Sequence, residues 1–375
     1  MVQVFITGGA GFIGSHLVDT LISQGYKVRV LDNLDSPTHN GKLPPWFNKN
    51  AQFIRGDVRE KRDWARTLKG VDYVFHLAAY MDFHLNFSAY IDTITKSTAL
   101  LFETIVERKL PVKKIIAASS QAIYGEGKYY CSRHGIIYPE LRPLEQLNKK
   151  QWEVRCLNDG KVMRPVAQRE DDTPNPQIPY VIAKLALEKL LLTLGKTYNI
   201  PTVALRYSIV HGPRQSFRHF YSGALREFAV LALAGLPIRM HEDGGQIRDF
   251  VHVEDVTRAH LTVLKNKKAD FRIFNVGSGR TTKVIDLARI VAKVAGVPFQ
   301  PELKGIFRLG TPRHSPMDIS KLKKLGWKPR KVLEDNVRDY IEWVNHYPEA
   351  KKYLRQTYTK MKKEGTLLAP KLRGK

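Results

Sequence analysis

A glycine-rich turn near the start of the chain constrains the fold more than any other feature. Gly8-Gly9-Ala10-Gly11-Phe12-Ile13-Gly14 follows an apolar run at residues 2–7 that predicts a strand, and it leads into a predicted helix at 14–24. Residues 27–32, 52–56, 71–79 and 113–119 predict further strands, separated by amphipathic helices such as 63–69 and 97–108. This alternation indicates an α/β fold with a doubly wound, Rossmann-type parallel sheet covered on both faces.

The second half of the chain is less regular and predicts a smaller unit added to this sheet. Turns at Gly212-Pro213 and Gly244-Gly245 interrupt it, which indicates a mixed α/β lobe. We expect residues 1–210 to form the sheet domain, with 126–178 as an insertion. Residues 211–345 are then the lobe, with about 247–277 returning in part to the core. Residues 346–375 form a basic tail, predicted as a helix followed by disorder.

The glycine turn has the pattern of a dinucleotide-binding site. Gly8 makes the tight turn, Gly11 lets the backbone approach a pyrophosphate, and Gly14 allows the helix to pack closely on the strand. The free N–H groups at the start of the helix then face the phosphates. Asp32 ends the next strand, where a carboxylate accepts hydrogen bonds from ribose hydroxyls and repels a 2′-phosphate. The pattern therefore predicts NAD rather than NADP, the alternative for Asp32 being an ordinary solvated turn residue.

Tyr180-Val-Ile-Ala-Lys184 predicts the catalytic centre. The two side chains are four residues apart and share one face of a helix. A tyrosine with a reference pKa near 10 is a poor base at neutral pH, and a lysine cation beside it favours the phenolate. The phenolate of Tyr180 would take a proton from a substrate hydroxyl, and Ser120 is expected to hydrogen-bond that hydroxyl. On spacing alone, Tyr180 and Lys184 would be a helix-surface pair, but the glycine turn and Ser120 favour proton transfer.

These motifs resemble the extended short-chain dehydrogenases/reductases of the NAD-dependent epimerase/dehydratase family. The resemblance covers nearly the whole chain and includes His76-Leu77-Ala78-Ala79, Ser119 to Gly125, Leu205-Arg206-Tyr207, Gly212-Pro213-Arg214, Arg248 to Val256, Asn275-Val276-Gly277 and Arg308 to Arg313. It implies a second lobe that holds a nucleotide-diphosphate sugar. Arg248 and Arg308 would clamp the diphosphate, as the guanidinium fork suits phosphate oxygens, although either could instead be a surface or ion-pair residue.

The site residues expected from the motifs and from this resemblance fall into two groups. The cofactor group is Gly8, Gly11, Phe12, Ile13, Gly14, Asp32, Asn33, Asp57, Val58, Leu77, Ala78, Ala79, Tyr180 and Lys184. The substrate group is Ser120, Arg214, Arg248, Arg308 and Arg313. The resemblance also implies a homodimer formed through the helix that carries Tyr180 and its neighbour.

The two residues after Ser120 disfavour one of the reactions that the family catalyses, sugar dehydration. Sugar dehydratases of the family carry Asp-Glu there as the acid pair, whereas this chain has Gln121 and Ala122, neither of which is a strong general acid. We therefore predict epimerisation at C4 of a UDP- or dTDP-linked sugar through a transient 4-keto intermediate. Alternatives are a nucleotide-sugar reductase or decarboxylase, or a non-catalytic NAD-binding protein with a basic, nucleic-acid-binding surface.

The chain departs from the family pattern at three substrate positions. Ile94 and Ile209 stand where asparagines are common in the family, which weakens the transfer of substrate contacts to this chain. Ser315 stands where hexose 4-epimerases carry a bulky gate residue. A serine there leaves room for a larger or differently shaped sugar.

The insertion at 126–178 contains two short pairs with the spacing of zinc ligands, Cys131-x-x-His134 and Cys156-x-x-Asp159. It resembles a degenerate form of the cysteine-rich ribbon found at this point in relatives of the dTDP-L-rhamnose 4-epimerase type. Three interpretations remain open: a zinc site, a metal-free ribbon, and a disordered or unrelated lid. Loops of this length are usually functional or separately organised.

Net charge and composition limit the classes of partner and the cellular compartment that can be expected. The 61 basic and 36 acidic residues give a net charge of +25, which favours anionic partners. It is consistent with a general surface enrichment in lysine, with steering of a diphosphate substrate, or with binding to nucleic acid or a membrane surface. Nucleic acid is disfavoured because no binding motif is present, and no apolar run reaches the roughly 18 residues of a membrane span. With two cysteines and no signal sequence, we expect a cytoplasmic protein.

Overall fold

The computed structural model describes residues 1–81, 86–218, 223–353, 359, 363 and 368–370. Strands and helices alternate in the first third of the chain, as the sequence predicts. They are β1 (Gln3–Thr7), α1 (Phe12–Ser23), β2 (Lys27–Asp32), β3 (Gln52–Arg55), α2 (Lys61–Thr67), β4 (Tyr73–His76), α3 (Phe87–Tyr90), a π-helical segment (Ile91–Lys96), α4 (Ser97–Glu107) and β5 (Lys114–Ser120). Strand β4 ends before its predicted 71–79 run does, because the N–H groups of Leu77 and Ala78 bond the side-chain hydroxyl of Thr7 in β1 instead of a backbone carbonyl.

The insertion is a small antiparallel sheet with a core of its own. A 3₁₀ turn (Gln121–Tyr124) leads into β6 (Lys128–Cys131), β7 (Gly135–Ile137), α5 (Leu144–Asn148) and β8 (Arg164–Val166). Strand β6 pairs with both β7 and β8. Five buried side chains fill the space beside it: Tyr129, Cys131, Val154, Cys156 and Met163.

The remaining elements complete the large sheet and build the lobe. They are α6 (Pro179–Thr197), β9 (Thr202–Tyr207), β10 (Ile209–His211), α7 (Gly223–Leu233), β11 (Ile238–Arg239), β12 (Ile247–Arg248), β13 (Phe250–His252), α8 (Val253–Lys265), a 3₁₀ turn (Lys267–Ala269), β14 (Arg272–Val276), β15 (Thr282–Lys283), α9 (Val284–Val294), β16 (Pro301–Glu302), β17 (His314–Ser315), α10 (Ser320–Lys323) and α11 (Leu333–Val344). Of the predicted basic tail, Leu368 pairs with Phe307 through two backbone hydrogen bonds. Most of the tail's predicted helix and disorder lies outside the described residues.

Seven parallel strands form the central sheet in the order β14-β9-β5-β4-β1-β2-β3. The chain proceeds outward from β1 to β3 and then starts again on the other side of β1 at β4. This reversal opens a crevice at the carboxyl ends of β1 and β4, the place where doubly wound sheets bind ligands.

The sheet is covered on both faces, as predicted. Because successive side chains of a strand point to opposite faces, Val4 and Ile6 of β1 lie in the core beneath α1 and α8, while Phe5 lies in the core beneath α2, α4 and α6. The lobe has a separate core between α7, α9 and α11. Two helical layers thus hold the strand ends in place and leave the crevice at their carboxyl edge.

Candidate functional site

A cleft of about 670 Å³ lies at the carboxyl edge of the sheet, between the sheet domain and the lobe. One residue from the end of each of five strands lines it: Gly8, Asp32, Leu77, Ser120 and Ser208. Every residue of the expected cofactor group except Asp57 lines this cleft. Asp57 borders a smaller neighbouring cavity together with Asn33.

The glycine turn has the geometry that its sequence predicts. Gly8 adopts a φ of +70°, and a Cβ there would stand 3.0 Å from the Ala78 backbone. A Cβ on Gly14 would collide with the carbonyl oxygen of Gly8, so only glycine allows α1 to start this close to β1. A Cβ on Gly11 would meet only the Gly8 oxygen, at 3.2 Å, which leaves the start of the helix open toward the cleft.

Asp32 is held in place by backbone N–H groups. Its two carboxylate oxygens accept hydrogen bonds from Ala10 (3.0 Å) and Leu34 (2.9 Å), and burial raises its pKa. A carboxylate has about four acceptor sites, so capacity remains for ribose hydroxyls. Arg59, two residues after Asp57, is bound to the Asp57 carboxylate by two hydrogen bonds.

A buried hydrogen-bond chain shapes the adjacent wall. Burial lowers the pKa of His76 to about 3, so its ring is neutral. Thr7 Oγ1 accepts from the N–H groups of Leu77 (3.1 Å) and Ala78 (3.2 Å) and therefore donates its own proton to His76 Nδ1 at 2.8 Å. The ring then donates from Nε2 to Ser97 Oγ at 3.0 Å. These hydrogen bonds hold the turn after β4 against the glycine turn.

Ser120, Tyr180 and Lys184 all line the same cleft. Ser120 ends β5, and its Oγ accepts a hydrogen bond of 3.1 Å from Ala122 N–H, so the hydroxyl proton can be donated to a substrate oxygen. Tyr180 and Lys184 lie on the inner face of α6, with the ammonium nitrogen 5.9 Å from the centre of the tyrosine ring. Pro179 at the first position of α6 aids helix initiation at this point.

Lys184 is more strongly desolvated than the sequence argument assumed. It is fully enclosed and donates to the Ala118 carbonyl at 2.7 Å. Burial lowers its pKa to about 7, against the opposing influence of Glu188. In this cleft the charge of Lys184 is thus sensitive to pH near neutrality.

Two of the expected substrate arginines line the cleft and two do not. Arg248 and Arg308 are part of its wall. Arg214 instead pairs with Asp19 of α1 at 2.7 Å. Arg313 is only 1% exposed, and its five N–H donors make five hydrogen bonds to carboxylates of Glu153, Glu242 and Asp243. No donor of Arg313 remains for a phosphate.

The guanidinium of Arg248 is arranged differently. It donates from Nη1 to the carbonyls of Ile247 and Arg313, and from Nη2 to that of Pro312, each at 2.8 Å. Three of its five donors are used, which leaves the edge formed by Nε and Nη2. Two parallel N–H groups of this kind bind phosphate oxygens well. Burial lowers the pKa of Arg248 to about 10, so it remains a cation at neutral pH.

Comparison with known proteins agrees with this geometry. The sequence model of the NAD dependent epimerase/dehydratase family matches residues 4–146 and 158–277. The chain belongs to this family. A curated member, the dTDP-L-rhamnose 4-epimerase of Burkholderia thailandensis, is 33% identical over 91% of this chain and 94% of its own length.

Solved structures of nucleotide-sugar 4-epimerases share the fold of this family member. The UDP-glucose 4-epimerase of Thermotoga maritima, solved with UDP-glucose, has a TM-score of 0.76 and 32% identity and covers 92% of this chain and 99% of its own. The UDP-glucuronic acid 4-epimerase of Bacillus cereus, solved with UDP-glucuronic acid and NAD, has a TM-score of 0.73 and 26% identity over 92% and 99%. In the described part of this epimerase-family chain, no helix is long and apolar enough to cross a membrane.

Four of the five positions at which the sequence is expected to depart from the family pattern line the cleft. Gln121, Ala122, Ile209 and Ser315 all line it. Ile94 lies in the π-helical segment and is fully buried in the core. The preceding Thr93 contributes to the cleft wall.

The two short pairs of the insertion come together in space. His134 Nδ1 lies 3.3 Å from Cys131 Sγ and 3.4 Å from Cys156 Sγ. Asp159 Oδ2 lies 3.9 Å from both Cys131 Sγ and His134 Nδ1. All four potential ligand atoms lie within 4.8 Å of one another.

Sequence reasoning missed a buried ion pair on the helix that carries Tyr180 and Lys184. Glu188, on the same helix as Lys184, accepts two hydrogen bonds from Arg206 of β9 (2.9 and 2.8 Å) and one from Ser119. Arg206 also donates to Tyr124 Oη at 2.9 Å. An available signal was the position of Arg206 inside an otherwise apolar strand, since buried charges are nearly always paired.

Proposed function

We propose that this chain is an NAD-dependent nucleotide-sugar epimerase that acts at C4 of a UDP- or dTDP-linked sugar through a transient 4-keto intermediate. The observation that carries the proposal is that one cleft contains Ser120, Tyr180 and Lys184 next to the glycine turn. The names of the relatives support this substrate class. The residues fit NAD, because the N-terminus of α1, directly after Gly11, is open toward the cleft and the Asp32 carboxylate retains acceptor sites.

Each residue has a distinct role in the proposed reaction. Tyr180 takes the proton of the C4 hydroxyl and later returns it, while Ser120 donates a hydrogen bond to the same oxygen. Lys184 favours the tyrosinate when it is charged. NAD held by the glycine turn and Asp32 would supply the redox chemistry, as acceptor and then donor of the C4 hydride. Arg248 and Arg308 hold the diphosphate through that exchange.

A panel of UDP-, dTDP- and GDP-sugars with separation of the products tests this proposal. We expect one or more UDP- or dTDP-sugars to reach an equilibrium of C4 epimers without net formation of NADH. Net NADH would indicate a redox reaction of the reductase or decarboxylase type. Salt-sensitive binding to duplex DNA without any sugar turnover would favour the nucleic-acid alternative.

The variant Tyr180→Phe tests the mechanism. It should lose epimerase activity and keep NAD bound, because only the phenolic oxygen is removed. Tyr198→Phe, at the exposed end of the same helix, is the matched control and should keep full activity. A Tyr180→Phe protein with the wild-type rate would overturn the assigned role.

We also propose that the two main parts of the chain bind different ligands. Residues 1–210 bind NAD, residues 211–345 bind the nucleotide sugar, and the protein acts in the cytoplasm.

A homodimer through α6 and its neighbour is supported by the apolar side chains of Phe87, Ile91 and Ile182, which are 43–53% exposed on adjoining helical segments. Light scattering should give twice the chain mass of 42.9 kDa, and Ile182→Lys should reduce it to the monomer mass.

A zinc ion in the insertion is a further part of the proposal. Tetrahedral zinc with a thiolate at about 2.3 Å and an imidazole at about 2.0 Å places those two ligand atoms about 3.5 Å apart. The Sγ atoms of Cys131 and Cys156 lie 3.3 and 3.4 Å from His134 Nδ1, close to that separation. Four protein ligands would make the site structural rather than catalytic. We expect about one zinc per chain by elemental analysis, lost in Cys156→Ser and kept in the surface control His346→Gln. Less than about 0.2 zinc in the wild type would exclude the site.

A further inference from the structure

The insertion contacts the cleft wall through a network of charges around the buried side chain of Arg313. Glu153 of the insertion accepts hydrogen bonds from Nη2 (2.6 Å) and Nε (3.1 Å) of Arg313. From the lobe, Glu242 (2.7 Å) and Asp243 (2.8 and 3.0 Å) bind the rest of the same guanidinium. Arg313 therefore joins the insertion to the turn that precedes β12.

A second arginine makes the reverse connection. Arg142 of the insertion donates to both carboxylate oxygens of Glu242, at 2.8 and 3.0 Å, and to the Thr311 carbonyl at 3.2 Å. The side chains of Arg142 and Glu242 are only 3% and 4% exposed. Glu242 is thus shared by two guanidinium groups, one from each side of the interface.

Two further contacts fix the segment that contains Arg313. His314 Nδ1 accepts from Ile247 N–H at 3.0 Å, so its neutral ring donates from Nε2 to Glu153 at 2.9 Å. Glu126, at the start of the insertion, accepts from the Arg313 N–H at 2.6 Å. Every residue from Thr311 to His314 except Pro312 is therefore held directly by the insertion.

This same segment sets the position of the cleft's phosphate-binding edge. Arg248 donates to the carbonyls of Pro312 and Arg313, and these bonds determine which edge of its guanidinium faces the cleft. Ser315, directly after His314, pairs with Arg248 in the register of β12 and β17 and lines the cleft. A shift of residues 311–315 would move both Arg248 and Ser315.

We propose that the insertion is a specificity-determining part of the substrate site, with Arg142 and Glu153 as positioning residues that set Arg248 and Ser315 for the nucleotide sugar. This inference rests on the proposed function. The insertion packs behind the part of the cleft that is proposed to hold the sugar diphosphate. Other elements hold the glycine turn and Asp32 in place. Loss of the insertion should affect nucleotide-sugar binding and spare NAD.

The variants Arg142→Met and Glu153→Gln test the proposal, with Glu145→Gln as the matched control. Glu145 belongs to the same insertion, and its side chain is 78% exposed in an ion pair with Lys149. Small misplacements of binding groups cost roughly 10- to 100-fold. We expect KM for the nucleotide sugar to rise about 10-fold or more in both variants, with kcat within about threefold and bound NAD unchanged. If Arg142→Met does not fold, Glu153→Gln still tests the proposal, because Glu153 is partly exposed and its substitution should disturb folding less.

Calorimetric titration with UDP and dTDP separates this inference from the proposed function. The affinity for the nucleoside diphosphate should fall in parallel with the rise in KM. If the wild type binds UDP or dTDP and epimerises no sugar, the proposed function fails, while the titration still decides the role of the insertion. Folded variants with wild-type affinity, or a fall in kcat at unchanged KM, would overturn the inference, as would a wild type that binds neither diphosphate.

Discussion

Replacing Glu126 with glutamine should change how stability depends on pH. Glu126 is fully buried, and desolvation raises its pKa from 4.5 to about 7 despite the nearby Arg142. The unfolded chain then releases this proton at a lower pH than the folded protein, so the glutamate costs stability as the pH rises from 4.5 to 7. With each pKa unit taken as about 1.36 kcal/mol, the full cost is about 3 kcal/mol. About 2 kcal/mol of it should develop between about pH 5.5 and about pH 8.

Glutamine removes this titration and keeps an oxygen that accepts from Arg313 N–H and Tyr129 Oη, as Glu126 does. Denaturant unfolding of both proteins at several pH values measures the effect. The free energy of unfolding of Glu126→Gln, relative to wild type, should rise by about 2 kcal/mol across that interval. The exposed Glu145→Gln should follow the wild-type curve. A difference between Glu126→Gln and wild type that stays constant with pH would refute the reasoning.

Three further predictions concern the sheet domain. Gly14→Ala should lower NAD affinity and cost about 1–3 kcal/mol of stability, because its Cβ meets the Gly8 carbonyl; cofactor fluorescence and thermal unfolding measure the two effects. Arg206→Met leaves Glu188 buried without its cation and should cost about 3–5 kcal/mol in denaturant unfolding, and a loss below about 1 kcal/mol would contradict the ion-pair argument. Thr7→Val breaks the hydrogen bonds to the turn after β4 and should weaken NAD binding about 10-fold by titration, with Thr262→Val on α8 as the control.

The sheet and the meeting of Ser120, Tyr180 and Lys184 in one cleft could be predicted because they depend on local patterns. Strand and helix periods fixed the order of the elements, and parallel strands bring their carboxyl ends to one edge. Residues far apart in the chain, such as Gly8, Asp32 and Ser120, therefore had to meet in one cleft. The helical spacing of Tyr180 and Lys184 predicted only that they share one face of a helix, and the glycine turn together with Ser120 predicted that this face lines the cleft.

The partners of the buried charges could not be predicted in this way. Arg214 binds Asp19 and Arg313 binds Glu153, pairs that are 195 and 160 residues apart in the chain. Neither pairing follows from a period or a motif, since each depends on how one packed unit docks on another. The two pairs of the insertion were different, because short ligand spacings indicate a shared site even when the fold between them is unknown.

The two arginines Arg313 and Arg248 use their N–H donors differently. A guanidinium has five N–H groups, and Arg313 gives all of them to carboxylates that cannot move away without leaving buried charges unpaired. Arg248 gives three to backbone carbonyls and keeps one edge for an anion. A protein that lacked Glu153 would free donors of Arg313, and its arginine could then turn toward a diphosphate. The acidic partners of Arg313, which are Glu153 of the insertion and Glu242 and Asp243 of the lobe, therefore occupy all of its donors. A motif match at this position predicts phosphate binding only where such acidic partners are absent.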